Sequence, residues 1–369
     1  MKKLFSIFIL AAFSLLVIPA PVSQAAEVVT ITEPTHRQLD GAFIDDELSD
    51  LISYNGRLGS LVFAPSRGNT IWQIDPALID EISSMTKPYV LTDGKAGAGS
   101  TAAQIWLSRL KSVTRNSAII ALPYGNPSGY WIHRLLPHDE SYFLNIGAEK
   151  LQSYFGRPVS VSIAFPDMSQ FRLNSLAYQA FVEANKTISA TASFMSGDEL
   201  ELYRLRSTSI LNSKLSAPRR DYLARDLTSH AYDLSRRIRL SANKFTVTSE
   251  KQNLPITVIN DYQGEAKLKI YISALNSKVL TESDMQELTI AGKSKVQIKV
   301  PVTVLASGQS ALLVTIKNKQ GVILGEPTRF PLTLSVISPV ATWLTTIAAI
   351  LLFAGAIFQS ARRIKRSRT

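Results

Sequence analysis

Cysteine is absent from all 369 residues. That excludes disulfides, thiol nucleophiles and thiolate metal sites together, so stability has to come from apolar cores of adequate size. Histidine is scarce too, with four residues, His36, His133, His138 and His230. His133 and His138 stand five positions apart with Pro137 between them, not at the i, i+4 spacing that puts two ligands on one helical face. No His-Glu-x-x-His and no Gly-x-Ser-x-Gly occurs, which argues against a zinc hydrolase and an α/β-hydrolase. Charge is missing from one long stretch, with no charged residue between Arg329 and Arg362.

Within that stretch, Pro339 to Phe358 is almost wholly apolar, and its length matches the ~20 residues needed to cross a hydrocarbon core as a helix. Arg362, Arg363, Lys365, Arg366 and Arg368 follow, a cluster of the kind retained on the cytoplasmic side. The expectation is one transmembrane helix over 338–359 and a basic cytoplasmic tail over 360–369, with the bulk of the chain outside the cell membrane. At the other end Lys2 and Lys3 precede an apolar run from Leu4 to Ile18 and small residues at 23–26, the pattern of a secretory signal peptide over 1–26. Lys2, Lys3 and the five basic tail residues account for most of the net charge of +11. What remains is a mildly basic surface suited to anionic envelope polymers and no argument for nucleic acid.

Between the termini two patterns alternate in different ways. Over 27–241, apolar β runs alternate with helical periodicity. Strands are predicted at 61–64, 70–74, 89–92, 118–122, 159–165 and 188–191, and helices at 101–113, up to Phe155, at 175–184 and at 219–240. Such alternation predicts an α/β domain built as an incomplete β/α barrel or an open parallel sheet. Over 242–337 the pattern is all β. Lys267-Leu268-Lys269-Ile270-Tyr271-Ile272 and Val296-Gln297-Ile298-Lys299-Val300 put apolar residues on one face and polar ones on the other. About seven such runs, separated by Gly and Asn turns, predict an immunoglobulin-like β-sandwich.

Motifs that could carry chemistry are few. Gly94 to Thr101 nearly spells a P-loop, but Ser100 stands where the phosphate-binding lysine belongs. The dinucleotide alternative through Gly97, Gly99 and Ala102 lacks the acidic residue about twenty positions on. A strand-to-helix loop capped by Ser100 is the simpler expectation. The long helix from Arg219 carries an apolar stripe through Leu223, Leu227, Ala231, Leu234 and Ile238, which is expected to face a core. Ligands of parallel α/β folds bind at strand C-termini, which selects Asp75, Asp93, Tyr124, Asn126 and Asp167 as ligand-face candidates. Two such carboxylates would suffice for glycoside hydrolysis. Each also has a plain structural use, since Asp75-Pro76 is an N-cap followed by a first-turn proline and the others sit in ordinary turns. Tyr130 joins the candidates because Tyr124, Tyr130 and Trp131 share a loop with amide groups, a combination suited to sugar faces. Asp45-Asp46 faintly resembles the aspartate pair of polysaccharide deacetylases, without that family's histidine pair. Phe330-Pro331-Leu332-Thr333-Leu334 departs from a sortase signal at two defining positions and alternates as a strand.

The order of Asp75-Pro76-Ala77-Leu78, Trp106-Leu107-Ser108-Arg109-Leu110, Ala121 to Pro127, Leu254-Pro255-Ile256-Thr257-Val258, Gly325-Glu326-Pro327 and Arg362-Arg363-Ile364 resembles an actinobacterial family of exported, C-terminally membrane-anchored proteins of unknown function. The resemblance runs from about Ile71 to the C-terminus. It implies an α/β region before a β-sandwich. Genes of that family tend to lie beside the lipid II flippase gene, which implies a role in the cell envelope, and the family supplies no catalytic residues. The expected function is a non-enzymatic scaffold or binding module near cell-wall precursor export, with envelope glycan or cell-wall synthesis proteins as partners and no cofactor or metal. The alternatives are a glycan-active hydrolase using the strand-end carboxylates, and a degenerate enzyme that binds glycan without turnover.

Overall fold

In the computed structural model, the described residues are 26–65, 69–195, 197–241, 244–281, 286–318, 321, 323–335 and 339–366. The signal peptide expected over 1–26 lies outside them up to residue 25, as does Arg368.

Four strands, β1 (Glu27–Ile31), β2 (Thr70–Ile74), β3 (Ala118–Ala121) and β4 (Ser160–Val161), form one parallel sheet in sequential order. The helices between them are α1 (Glu47–Ile52), α2 (Arg57–Phe63), α3 (Pro76–Met85), α4 (Ser100–Thr114), α5 (Gly129–Leu135) and α6 (Glu140–Phe155). Ile31, Trp72, Ile74, Ile119 and Ala121 of the sheet pack with Leu58 and Val62 of α2, Ile79 and Ile82 of α3, Trp106 and Leu110 of α4, and Leu151 of α6. Each large apolar side chain buried in this way contributes roughly 1.5–3 kcal/mol.

A helical layer follows, made of α7 (Ser175–Ala192), α8 (Asp198–Ser207), the 3-10 turn Thr208–Leu211 and α9 (Ala217–Ser235). Ala177, Ala180 and Ala184 recur along the buried face of α7, and α7 lies against α9. The sandwich has two sheets. One holds β10 (Gln286–Ile290), β8 (Ala266–Ala274), β12 (Gly308–Lys317), β13 (Ile323–Leu334) and β6 (Phe245–Val247), in that order. The other holds β5 (Ile238–Ser241), β7 (Lys251–Asn260), β11 (Ser294–Val304) and β9 (Val279–Thr281). All pairings in it are antiparallel except β13 with β6. A single apolar core joins the helical layer to the sandwich, running from Phe181, Ile188 and Leu234 to Val258, Tyr262, Leu268, Leu312 and Phe330.

The seam between them is hydrogen-bonded. Asp261 N donates to Arg237 O at 2.8 Å and Lys267 N to Phe194 O at 3.0 Å. The Tyr262 hydroxyl donates to Leu234 O at 2.5 Å.

Several expectations are corrected. The transmembrane helix expected at 338–359 is not supported. Residues 339–366 form one helix, α10 (Pro339–Arg366), yet among the described residues no helix is long and apolar enough to cross a membrane. Thr342, Thr345 and Thr346 interrupt the apolar run, which is unbroken only from Ile347 to Phe358.

The strand predicted at 61–64 is the end of α2, and that predicted at 188–191 lies inside α7. Short apolar runs look alike in strand and helix, and packing decides between them. Tyr89 to Thr92 forms only isolated bridges, Val90 with Ala96 and Leu91 with Phe43. The strand predicted at 159–165 is confined to Ser160–Val161. The helix predicted at 219–240 ends at Ser235, and β5 follows as an edge strand paired with β7.

Candidate functional site

The sequence candidates at the strand ends are largely built into the structure. Asp75 follows β2 and is fully buried, with no exposed surface. As the N-cap of α3 its Oδ1 accepts from Ala77 N at 2.9 Å, and the same oxygen accepts from Gly125 N at 2.9 Å. Thr32 Oγ1 donates to Oδ2 at 3.4 Å. Burial pushes the Asp75 carboxyl up to about 7, against the lowering effect of the two amides.

The partner loop holds Tyr124 and Asn126, both buried. It turns on Gly125 at φ +74°, followed by Asn126 at φ +43°, a left-handed pair that glycine and asparagine tolerate best. Asn212 Nδ2 donates to Gly125 O at 2.9 Å. Asn126 Oδ1 is buried without a partner among the described residues.

The remaining candidates are not gathered with Asp75 by any direct contact. Asp93 lies on the surface, paired with Lys95 at 2.7 Å, and that pairing lowers its pKa. Asp167 accepts from Ser169 N at 2.9 Å and Ser213 Oγ at 2.5 Å. Burial raises its pKa, but these hydrogen bonds hold it below the ordinary carboxylate value. Tyr130 is half-buried and meets Trp131 edge-on at 5.3 Å, while Trp131 Nε1 donates to Phe171 O at 3.1 Å. Trp131 is therefore a packing residue. The glycine loop is equally occupied: Ala98 N donates to Asp46 Oδ2 at 2.8 Å and Gly99 N to Tyr89 Oη at 3.0 Å. The amides that would cradle a phosphate are satisfied internally, and Gly99, not Ser100, is the N-cap of α4.

Two clusters escaped the sequence patterns. In the first, His36, Asp45 and Glu47 bring one ligand atom each within 4.8 Å of one another, the spacing of a cation site. Arg219 already supplies the positive charge, donating to Asp45 Oδ2 at 2.6 Å and Glu47 Oε2 at 2.9 Å. Burial opposes ionisation of Asp45, but His36 and Arg219 hold its pKa below the ordinary value. His36 Nδ1 lies 2.6 Å from Asp45, and its buried Nε2 has no partner among the described residues.

The second cluster is a polar cleft of about 800 Å³ between α3, α6 and α8, reached by the segment after β1. Its wall includes Arg37, Asp80, Ser83, Lys87, Lys150 and Arg206. Burial and the neighbouring Arg206 lower the Arg37 pKa. Burial raises that of Asp80, opposed by a hydrogen bond from Tyr124. Burial and Asp80 together raise the Tyr124 phenol. Tyr124 thus ties the strand-end loop to the cleft wall. These residues come from four distant segments, so no spacing signal in the sequence could have revealed them.

A short parallel sheet wrapped by helices on its own core, and a helical layer sharing a second core with a two-sheet immunoglobulin-like sandwich, define an α/β protein fused to a β-sandwich. The chain belongs to the family of unknown function DUF6049, which it matches over residues 168–369. No curated protein matches it. Among solved structures it is similar to native alpha-2-macroglobulin from Escherichia coli, in a structure from domain MG7 to the C-terminus, at 16% identity and a TM-score of 0.22. That match covers 26% of this chain and 16% of the other, so the chain spans a small part of that protein. It is similar to WR4, a C. elegans MSP family member, at 9% identity over 27% of this chain and 98% of that one, with a TM-score of 0.21. It is also similar to the CARDB domain of the PF1109 protein from Pyrococcus furiosus, solved in complex with di-metal ions. There the identity is 9%, covering 27% and 92% of the two chains, with a TM-score of 0.22.

Proposed function

We propose that the chain is a non-catalytic binding module of the cell envelope, working near the export of cell-wall precursors. The observation that carries the non-catalytic part is the state of the strand-end carboxylates. A glycosidase needs two carboxyl groups facing one sugar, one to donate a proton and one to attack or to activate water. Asp75 is sealed under backbone amides, Asp93 is paired with Lys95 on the surface, and Asp167 is held by Ser169 and Ser213. Their oxygens are occupied by the fold. The envelope setting is supported by the basic and apolar N-terminal pattern and by the small residues at 23–26.

The test uses the purified full-length chain and isolated envelope glycan. No reducing ends should be released, and Asp75→Asn, Asp93→Asn and Asp167→Asn should each retain glycan or partner as well as the parent does. Release of fragments that one Asp→Asn change abolishes would establish the hydrolase alternative instead.

A further inference from the structure

The cleft between α3, α6 and α8 contains an unusual juxtaposition of charge. Arg37 and Arg206 close on the same spot: a Cβ on Gly41 would lie 2.5 Å from Arg37 Nη2 and 2.7 Å from Arg206 Nη1. Neither guanidinium has a carboxylate within ion-pair distance among the described residues. Arg37 donates instead to Gly41 O at 2.8 Å and to Ser84 Oγ at 3.2 Å, and Arg206 donates to Leu39 O at 3.1 Å. Two cations held side by side on neutral acceptors repel each other and leave most of their N–H donors unused.

The surroundings extend this pattern. Lys87, exposed at the end of α3, lines the same cleft and also lacks an ion-pair partner among the described residues. Ser83, again in the wall, has a buried hydroxyl with no hydrogen-bond partner among the described residues. Lys150 is paired with Glu201 at 3.0 Å, so among the described residues the cleft's cations without an ion pair are Arg37, which also lies over the Phe43 ring, Arg206 and Lys87. The wall also holds three carboxylates, Asp198 and Glu201 on α8 with Arg206, and Asp80, which attracts both Arg37 and Arg206. They would repel a bare polyanion but accept hydrogen bonds from hydroxyl groups.

We propose that this cleft binds a small soluble phosphorylated sugar, with the phosphate on Arg37, Arg206 and Lys87 and the sugar hydroxyls towards Ser83, Asp198 and Glu201. Planar guanidinia match phosphate oxygens in paired hydrogen bonds, and a lysine adds a point charge at the rim. The unpaired Ser83 hydroxyl gains a partner when the cleft is filled. The proposal rests on the binding-module function above and names its ligand class.

Calorimetric titration of the full-length chain with glucose 1-phosphate, inorganic phosphate and phosphatidylglycerol vesicles tests it. Glucose 1-phosphate should bind saturably and more tightly than inorganic phosphate. Arg206→Gln and Lys87→Ala should each weaken it by roughly 10-fold, the effect of one lost charge-assisted contact. Arg134→Gln, an exposed position on α5 outside the cleft, should leave it unchanged. Lys87 is exposed, so its variant stays informative if Arg206→Gln does not fold. Absence of saturable binding, binding to vesicles alone, or affinity indifferent to Lys87→Ala would overturn the proposal. Release of inorganic phosphate from glucose 1-phosphate, dependent on Lys87 and Arg206, would support the site while overturning the non-catalytic function.

Discussion

Asp75→Asn should stabilise the protein at neutral pH and remove a pH dependence from its folding. Burial raises the carboxyl from 3.8 to about 7, so between about pH 4 and about pH 7 the folded chain keeps a proton that the unfolded chain has released. Stability therefore falls as pH rises through that window and is flat above it. The gap corresponds to about 4 kcal/mol at most. Asparagine is nearly isosteric. Its Oδ1 can go on accepting from Ala77 N and Gly125 N, and its Nδ2 replaces the ionised Oδ2 opposite Thr32 Oγ1. The variant should match the parent near pH 4 and exceed it progressively towards pH 8.

Taking the difference between variant and parent cancels the other carboxylates. Asp45 and Asp167 have lowered pKa values and contribute stability that is lost in the opposite direction, as pH falls. Urea unfolding followed by the fluorescence of buried Trp72 and Trp106 reports on the core beside Asp75. Asp75→Ala, by contrast, should cost about 2–4 kcal/mol because two amides lose their acceptor. An Asn variant no more stable than the parent at pH 8, with a difference independent of pH, would refute the argument and mean that Asp75 works as an ionised group.

Two other substitutions probe the frame. Gly125→Ala should cost about 1–3 kcal/mol, since its φ is +74° and the new methyl would meet Ser209 Oγ at 2.5 Å; Ser209→Ala in the same chain should recover part of the loss in urea unfolding. Asn260→Ala should cost about 3 kcal/mol, because the buried Asn260 side chain donates to the carbonyls of Gly264, Ile290 and Ala291 and accepts from Tyr262 N, and the loss should appear as an earlier unfolding midpoint.

Some of this architecture was legible in the sequence. Strands with one wet and one buried face, such as β8 and β11, show their period directly in Lys267 to Ile272 and Val296 to Val300. The edge strands β5 and β9, of four and three residues, are too short to show one. The parallel sheet was harder. Ile188 to Thr191 looks like a strand in isolation, but alanines at 177, 180 and 184 seat that chain against α9 and packing overrides β-branching. The Asp75-Pro76 pair marked a helix start, and α3 begins there with Asp75 as its cap. The loop that covers Asp75 comes from fifty residues further on, so burial was beyond reach of local pattern. The cleft likewise needs Arg37, Lys87, Lys150 and Arg206 to be brought together by the fold.

The seam at Tyr262 bears on how this chain can evolve. A sandwich joined by a loose linker can be duplicated, swapped or lost with little consequence for its neighbour. Here the neighbour supplies part of the sandwich's interior: β5 leaves α9 after two residues, and Met195 bridges to Ala266. Any replacement sandwich would have to reproduce the tyrosine at its β7–β8 turn and the apolar face beneath it. Substitutions on the two sides of the seam are therefore expected to be inherited together, and length changes to collect in turns that face away from it.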